Sequence, residues 1–234
     1  MTPALRAAVA AALVLALPQG ARAECRLALL LALDVSSSVD ATEDALQRRG
    51  LAAALRSPEV RNAALSMPGE WVALAAFEWS GRYQQAQILG WTELRSAQSL
   101  EVAAARIASS QRRFSRFPTA LGYAVGHAAT VFASAPDCRR RILDVSGDGV
   151  NNDGFPPRLA YNNFPLDDVT VNGLPIGGHD PLVTSYYENQ LIRGPDAFIE
   201  PADDFEDFER AMRRKLEREM RALILGAAPA GAGE

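Results

Sequence analysis

Arg26 to Leu33 (RLALLLAL) is a continuous apolar run that breaks off sharply at Asp34-Val35-Ser36-Ser37-Ser38. Such a run marks a strand buried on both faces of a parallel sheet. A helical pattern follows from about Asp40 to Arg56, with Ala45, Leu46, Ala53 and Leu55 among its apolar positions. Trp71 to Phe77 (WVALAAF) reads as a second strand and Tyr83 to Leu89 as a third, with Ser80-Gly81 turning between them. Ala97 to Ser110 and Thr119 to Ala133 read as helices. Arg139 to Val145 (RRRILDV) reads as a strand running into Ser146-Gly147-Asp148-Gly149. Asn151 to Asn163 is a loop with at most a short helix, Val169 to Leu174 a strand, and Ala197 to Glu200 a short one. The clearest helix comes last: Asp203-Asp204 cap its start, and Phe205, Phe208, Met212, Leu216 and Met220 form its apolar stripe. Strands alternating with helices predict one doubly wound α/β domain, a mostly parallel central sheet flanked by helices on both faces.

The ends of the chain stand apart from this pattern. Arg6, the apolar run Ala7 to Leu17 and the small-residue site Ala21-Arg22-Ala23 have the order of a secretory signal peptide, 1–23. The run is too short for a bilayer, which takes roughly 20 apolar residues. Cys25 follows Glu24, where a lipoprotein would carry a small residue. The expectation is an exported chain, periplasmic or secreted, with no transmembrane anchor after cleavage. The domain then spans 24–225, and 226–234 (GAAPAGAGE) is a small-residue tail. Composition changes little: 48% of the 234 residues are apolar and 22% charged, which excludes a disordered or collagen-like chain. The formal charge is −4, and setting aside the leader's two arginines leaves −6. That balance gives no footprint for nucleic acid. Only two histidines are present, which argues against His-based zinc or acid–base chemistry.

In an open parallel sheet, ligands bind beyond the carboxyl ends of the strands where strand order reverses. Two strands here end in acidic polar loops, Asp34-x-Ser36-x-Ser38 and Ser146-Gly147-Asp148-Gly149, and Phe117-Pro118-Thr119 at a helix start can present a further hydroxyl. Two carboxylates and three hydroxyls are hard oxygen donors. They suit Mg²⁺, with Mn²⁺ or Ca²⁺ as alternatives, better than zinc.

These motifs resemble those of the von Willebrand factor type A domain. Asp34-Val35-Ser36-Ser37-Ser38 is similar to its D-x-S-x-S, Thr119 to Ala124 to its threonine loop, and Asp148-Gly149 to its acidic loop after the fourth strand. More narrowly, Val150 to Gly154, Asn172 to Ile176, and Tyr186-Tyr187 followed by Gly194-Pro195 resemble a group of bacterial exported proteins carrying this domain. The resemblance implies a Rossmann-like fold and a metal-ion-dependent adhesion site. Asp34, Ser36 and Ser38 would hold the metal from the first loop, Thr119 from the second and Asp148 from the third, the last often through water. An open coordination position would receive an Asp or Glu carboxylate from a protein partner.

Cys25 lies nine residues before Asp34 and Cys138 ten before Asp148. If the two strands are parallel neighbours with their acidic ends together, both cysteines sit at the opposite end. Export would permit a Cys25–Cys138 disulfide, worth on the order of 4–5 kcal/mol in the chain-entropy model. The alternative is two free buried thiols.

Other polar residues carry a bland reading beside a sharp one. Asp144 is an interior or supporting carboxylate, or an extra ligand. Asn151 to Gly154 is turn chemistry, or a second cation site. His127 packs or faces solvent, and His179 lies in a glycine loop without a visible partner. Trp79 and Trp91 are packing residues rather than a ligand cage, and Arg139-Arg140-Arg141 serves strand-edge solubility rather than anion binding. The segment from Tyr161 to Tyr187 carries partner specificity, or is only a long connection. Three functions compete: a non-enzymatic binding module, a metal-dependent hydrolase, and a structural domain whose metal staples three loops. With no general base or activated nucleophile to name, the binding module is the expectation.

Overall fold

In the computed structural model, which describes residues 23–177 and 180–221, the apolar runs assemble into one five-stranded sheet of order β3-β2-β1-β4-β5. The strands are β1 (Glu24–Asp34), β2 (Glu70–Trp79), β3 (Gln85–Leu94), β4 (Arg141–Gly147) and β5 (Val169–Pro175). β1 pairs in parallel with β2 and β4, β4 pairs in parallel with β5, and β3 is an antiparallel edge. The expected leader, apart from residue 23, the tail and His179 lie outside the described residues.

Alternation within each strand divides the core between two faces. Leu27, Leu29, Leu31 and Leu33 of β1 meet α1 (Ala41–Arg56), α2 (Pro58–Leu65), α3 (Ala97–Ala108) and α7 (Phe208–Arg221). Ala28, Leu30 and Ala32 face α4 (Leu121–Phe132), α5 (Pro157–Asn163), α6 (Pro181–Tyr186) and the π turn Tyr187–Leu191 that continues it. β1 is therefore covered on both faces, as its continuous apolar run requires. Arg26, within that run, is also buried. Its guanidinium donates to the carbonyls of Ala63, Ala64 and Met220, satisfying the open C-terminal ends of α2 and α7.

Several expectations shift. The third strand begins at Gln85, because the Ser80 amide donates to the Gln84 carbonyl and closes a turn that leaves Tyr83 exposed. α2 was not anticipated, although Ser57-Pro58 is a cap followed by a first-turn proline, and the Ser57 hydroxyl accepts from the Val60 amide. Ala197 to Glu200 makes only the isolated bridge Gly173–Ile199, with Ile176–Ala202 beyond it. The last helix starts at Phe208. Asp203 and Asp204 sit in the preceding bend, where Asp204 accepts from the Asp207 amide. The long connection after β4 holds α5, α6 and the π turn, whose Tyr187 and Leu191 join the core.

Cys25 and Cys138 are joined, with Cα atoms 4.5 Å apart across a separation of 113 residues. The bridge fixes the N-terminal end of β1 beside the entry to β4, far along the sheet from the acidic loops.

Candidate metal centre

β1 and β4 are neighbours, with β2 and β3 on one side and β5 on the other, so strand order reverses between them. Their carboxyl ends carry Asp34 and the Gly147-Asp148 loop, which puts both acidic motifs at the crevice expected to bind ligand.

Within the first loop, Asp34 Oδ1 accepts the Ser36 amide at 2.7 Å, and the Ser36 and Ser38 hydroxyls lie 3.1 Å apart. The Ser38 hydroxyl donates to Asp148 Oδ1 at 2.7 Å, closing the gap to the third loop. Thr119 is buried beside Gly149, whose Cα a methyl group would extend to 3.4 Å from Thr119 Oγ1. All five residues singled out in the sequence thus gather at one end of the sheet. Gly147 is required there, since a Cβ on it would sit 2.7 Å from Asp34 Oδ2 and 2.6 Å from the Tyr187 hydroxyl.

The electrostatics are those of a site short of positive charge. Asp34 is fully buried, and its Oδ2 has no hydrogen-bond partner. Burial first, and the Asp148 charge second, push the Asp34 carboxyl up to about 8. Burial also raises Asp148, against the Ser38 hydrogen bond. The buried Tyr187 hydroxyl, likewise unpartnered, is raised well above its ordinary value by burial and by the same two carboxylates. A cation would reverse the Asp34 penalty and occupy its orphaned oxygen, so the residues fit a hard divalent ion. Among the described residues no three His, Cys, Asp or Glu side chains cluster as a metal set. The candidate donors are two carboxylates and three hydroxyls.

Supporting residues hold the loops in place, and two of them, Arg112 and Gln47, are not anticipated from the sequence. The Arg112 guanidinium donates to the carbonyls of Val35, Ser36, Val39, Asp40 and Phe114, bracing the first loop from behind. Gln47 donates to the Asp34 carbonyl and accepts from the Ser146 hydroxyl, tying α1 to both strand ends. Asn152 Oδ1 accepts the Thr119 amide at 2.8 Å and its own amide donates to the Thr119 carbonyl, while Asn151 Oδ1 accepts the Gly122 amide at the start of α4. The Asn151-Asn152 pair therefore clamps the second loop to the third, a more specific task than turn formation.

Other candidates lie elsewhere. Asp144 faces α7 rather than the loops. His127 packs edge-on against Phe77, with centroids 4.9 Å apart, and burial lowers it. Trp79 is buried, and Trp91 packs on Phe132 while donating to the Val131 carbonyl.

This fold is that of von Willebrand factor type A domains. The chain matches a von Willebrand factor type A structure from Catenulispora acidiphila at 16% identity and a TM-score of 0.55, over 83% of this chain and 43% of that one. Proximal thread matrix protein 1 from the mussel byssus, in a structure described as having a zinc-occupied MIDAS motif, matches at 14% identity and 0.57 over 86% and 47%. The PilB minor pilin from Streptococcus sanguinis matches at 11% identity and 0.60 over 90% and 64%. The chain thus spans about half the length of the mussel proteins it matches. By its sequence the chain belongs to the family described as protein of unknown function (DUF1194), whose model matches residues 24–224. No curated protein matches it.

Proposed function

We propose that this protein is an exported, non-enzymatic binding module. It holds a divalent cation on Asp34, Ser36, Ser38, Thr119 and Asp148 and offers the remaining coordination position to an Asp or Glu carboxylate of a protein partner. The observation that carries this reading is the meeting of three loops at Asp34, a fully buried carboxylate with one oxygen unpartnered. Two acidic ligands balance a divalent ion without surplus, which leaves room for one further anion. Hard oxygen donors favour Mg²⁺ or Mn²⁺; the zinc in the mussel protein's motif supports a divalent ion at such a site.

The rim supports a macromolecular partner. Tyr83 is 81% exposed, and it meets Tyr123 of the first turn of α4, which stacks on Phe155 with centroids 4.2 Å apart. Phe117, two residues before Thr119, is exposed as well. Aromatic side chains around a charged point give a partner apolar area beside its carboxylate. Export is read from residues 1–23 and agrees with the Cys25–Cys138 bridge. Among the described residues no helix is long and apolar enough to cross a membrane.

The test is calorimetric titration of Mg²⁺ and Mn²⁺ into the purified protein and Asp34→Ala, followed by glutamate-rich peptides. Binding by the native protein alone, with peptide binding that requires the metal, is the expected result. Metal-dependent turnover of a model phosphoester would replace this reading with a hydrolase.

A further inference from the structure

A second acidic cluster lies in the core between β4, β5 and α7, and the metal centre has no use for it. Lys215 of α7 is fully buried, with its Nζ 2.8 Å from Glu219 Oε1 and 3.2 Å from Asp144 Oδ1 of β4. Asn172 Nδ2 of β5 donates to the same Glu219 oxygen at 2.8 Å, and its Oδ1 accepts the Phe198 amide. The Phe198 ring covers the ammonium, 4.6 Å from its centroid. Asp144, Glu219 and Asn172 are each buried to within 1% of full.

As a plain ion cluster this arrangement is poorly completed. Asp144 Oδ1 meets only the Lys215 ammonium, at 3.2 Å, and Asp144 Oδ2 and Glu219 Oε2 lack a hydrogen-bond partner. The other buried ion cluster on this side of the sheet has no such gap. There Arg48 donates to both oxygens of Asp44 and to Glu78 Oε2, and the Arg113 amide donates to Glu78 Oε1. Two carboxylates against one lysine leave an unpaired charge in an apolar core if all are ionised, a costly state. The cluster is therefore expected to retain a proton, and burial raises Asp144 more than the Lys215 charge lowers it.

A buried amine beside a carboxylic acid, with a second carboxylate touching the amine and water excluded, is the arrangement that forms an amide. We propose that Lys215 and Asp144 join in an intramolecular isopeptide bond, with Glu219 as the catalytic proton carrier. Glu219 takes a proton from the Lys215 ammonium, and the freed Nζ electron pair attacks Asp144 Cγ. A second Nζ proton passes through Glu219 to the departing hydroxyl. The Nζ–Cγ bond forms, the Cγ–OH bond breaks with its electron pair on oxygen, and one water leaves without any redox change. The products are a neutral amide and a protonated Glu219, so the buried Lys215–Glu219 ion pair disappears. Fixed proximity in a dry site supplies the driving advantage for such a step. The bond would tie the last helix to the strand that delivers Asp148, as the disulfide ties β1 to the entry of that strand.

Mass spectrometry of the purified, cysteine-reduced full chain decides the matter, with its N-terminus fixed by sequencing. The expected mass is one water below that of the sequence, and trypsin should release a branched species joining 142–158 to 215–218. Lys215→Met and Glu219→Gln should both restore the full mass. A native chain of full mass overturns the proposal. So does a water loss that survives Lys215→Met, since cyclisation at Asp148-Gly149 or Asp153-Gly154 would give it without a branch. Loss of ammonia, with 159–193 joined to 215–218, would overturn Asp144 in favour of Asn172. None of these readouts involves metal binding.

Discussion

Two groups of carboxylates meet along β4, one beyond its carboxyl end and one in the core against α7, and they are completed in opposite ways. Beyond the strand ends, Asp34 and Asp148 face each other with serine and threonine hydroxyls but no cationic side chain within hydrogen-bonding reach. Further in, at the middle of β4, Asp144 and Glu219 of α7 have Lys215 between them. The protein supplies its own amine where the core is closed, a cation until the proposed amide forms, and withholds one where the loops open to solvent. Arg112 comes nearest to compensating Asp34, yet it spends its donors on backbone carbonyls and leaves the carboxylate oxygen free. A buried acid left unpaired at a surface crevice is what the proposed ion would complete.

Removing the internal lysine should therefore have the largest effect on the fold. Lys215→Ala leaves Asp144 and Glu219 buried with neither a counter-charge nor an amide partner, and is expected to destabilise the protein by at least about 3–5 kcal/mol. Equilibrium urea denaturation measures this. Lys215→Met, which refills the apolar volume, should recover part of the loss, because the remaining acids can share protons. A Lys215→Ala protein as stable as wild type would mean that the inner cluster contributes nothing.

Adding the external cation should sharpen the contrast from the other side. Mg²⁺ at a hundred times its dissociation constant should stabilise the native protein by about 2.7 kcal/mol, through mass action on the folded state alone. Thermal denaturation with and without Mg²⁺ should show the gain in wild type and in Lys215→Met, and none in Asp34→Ala. A gain that vanishes in Lys215→Met as well would show that the two clusters are not independent.

Much of this arrangement is legible in the sequence, for reasons that differ by element. The run Arg26 to Leu33 and its abrupt acidic end identify a central strand and its functional end together, because burial on both faces leaves no alternation to misread. Asp34, Ser36, Ser38, Thr119 and Asp148 form a recognisable set because three loops must each place an oxygen at one point. The edge strand β3 is less legible: one face is partly exposed, and the Ser80–Gln84 turn shifts its start by two residues. Arg112 and Gln47 escape notice, and Asn151-Asn152 read only as turn chemistry or a cation site, because all four act through groups distant in sequence, which no local spacing encodes. Lys215 and Glu219 did leave a signal. They stand four residues apart on the same helix face as Met212, Leu216 and Met220, and a charged pair on an apolar stripe calls for a buried partner. Asp144, within an otherwise apolar strand, is that partner.

The bracing residues test whether the outer site depends on loop geometry as well as on its ligands. Arg112→Ala removes donors to four carbonyls of the first loop, and should weaken Mg²⁺ binding by roughly 10–100-fold, the range for residues that orient ligands without touching the ion. Arg112→Lys should not restore it, since an ammonium cannot span carbonyls arranged for a planar fork. Calorimetry on both variants, with circular dichroism to confirm folding, measures the effect. Unchanged affinity in Arg112→Ala would locate the stiffness of the loop in Gln47 and the Asp34–Ser36 contact instead.

The smallest effect is expected at the clamp between the second and third loops. Asn152→Ala removes the acceptor for the Thr119 amide but leaves Thr119 itself in place. The lost hydrogen bond should cost about 1 kcal/mol, which corresponds to a several-fold loss of Mg²⁺ affinity if it falls wholly on the metal-bound state. Urea denaturation without metal and calorimetry with it separate the two possibilities. A loss of stability with affinity intact would make Asn152 a fold residue that happens to lie near the centre. A loss of affinity with stability intact would show that the clamp serves to hold the Thr119 hydroxyl at the distance the ion requires, and that the metal site extends one layer beyond its five oxygen donors.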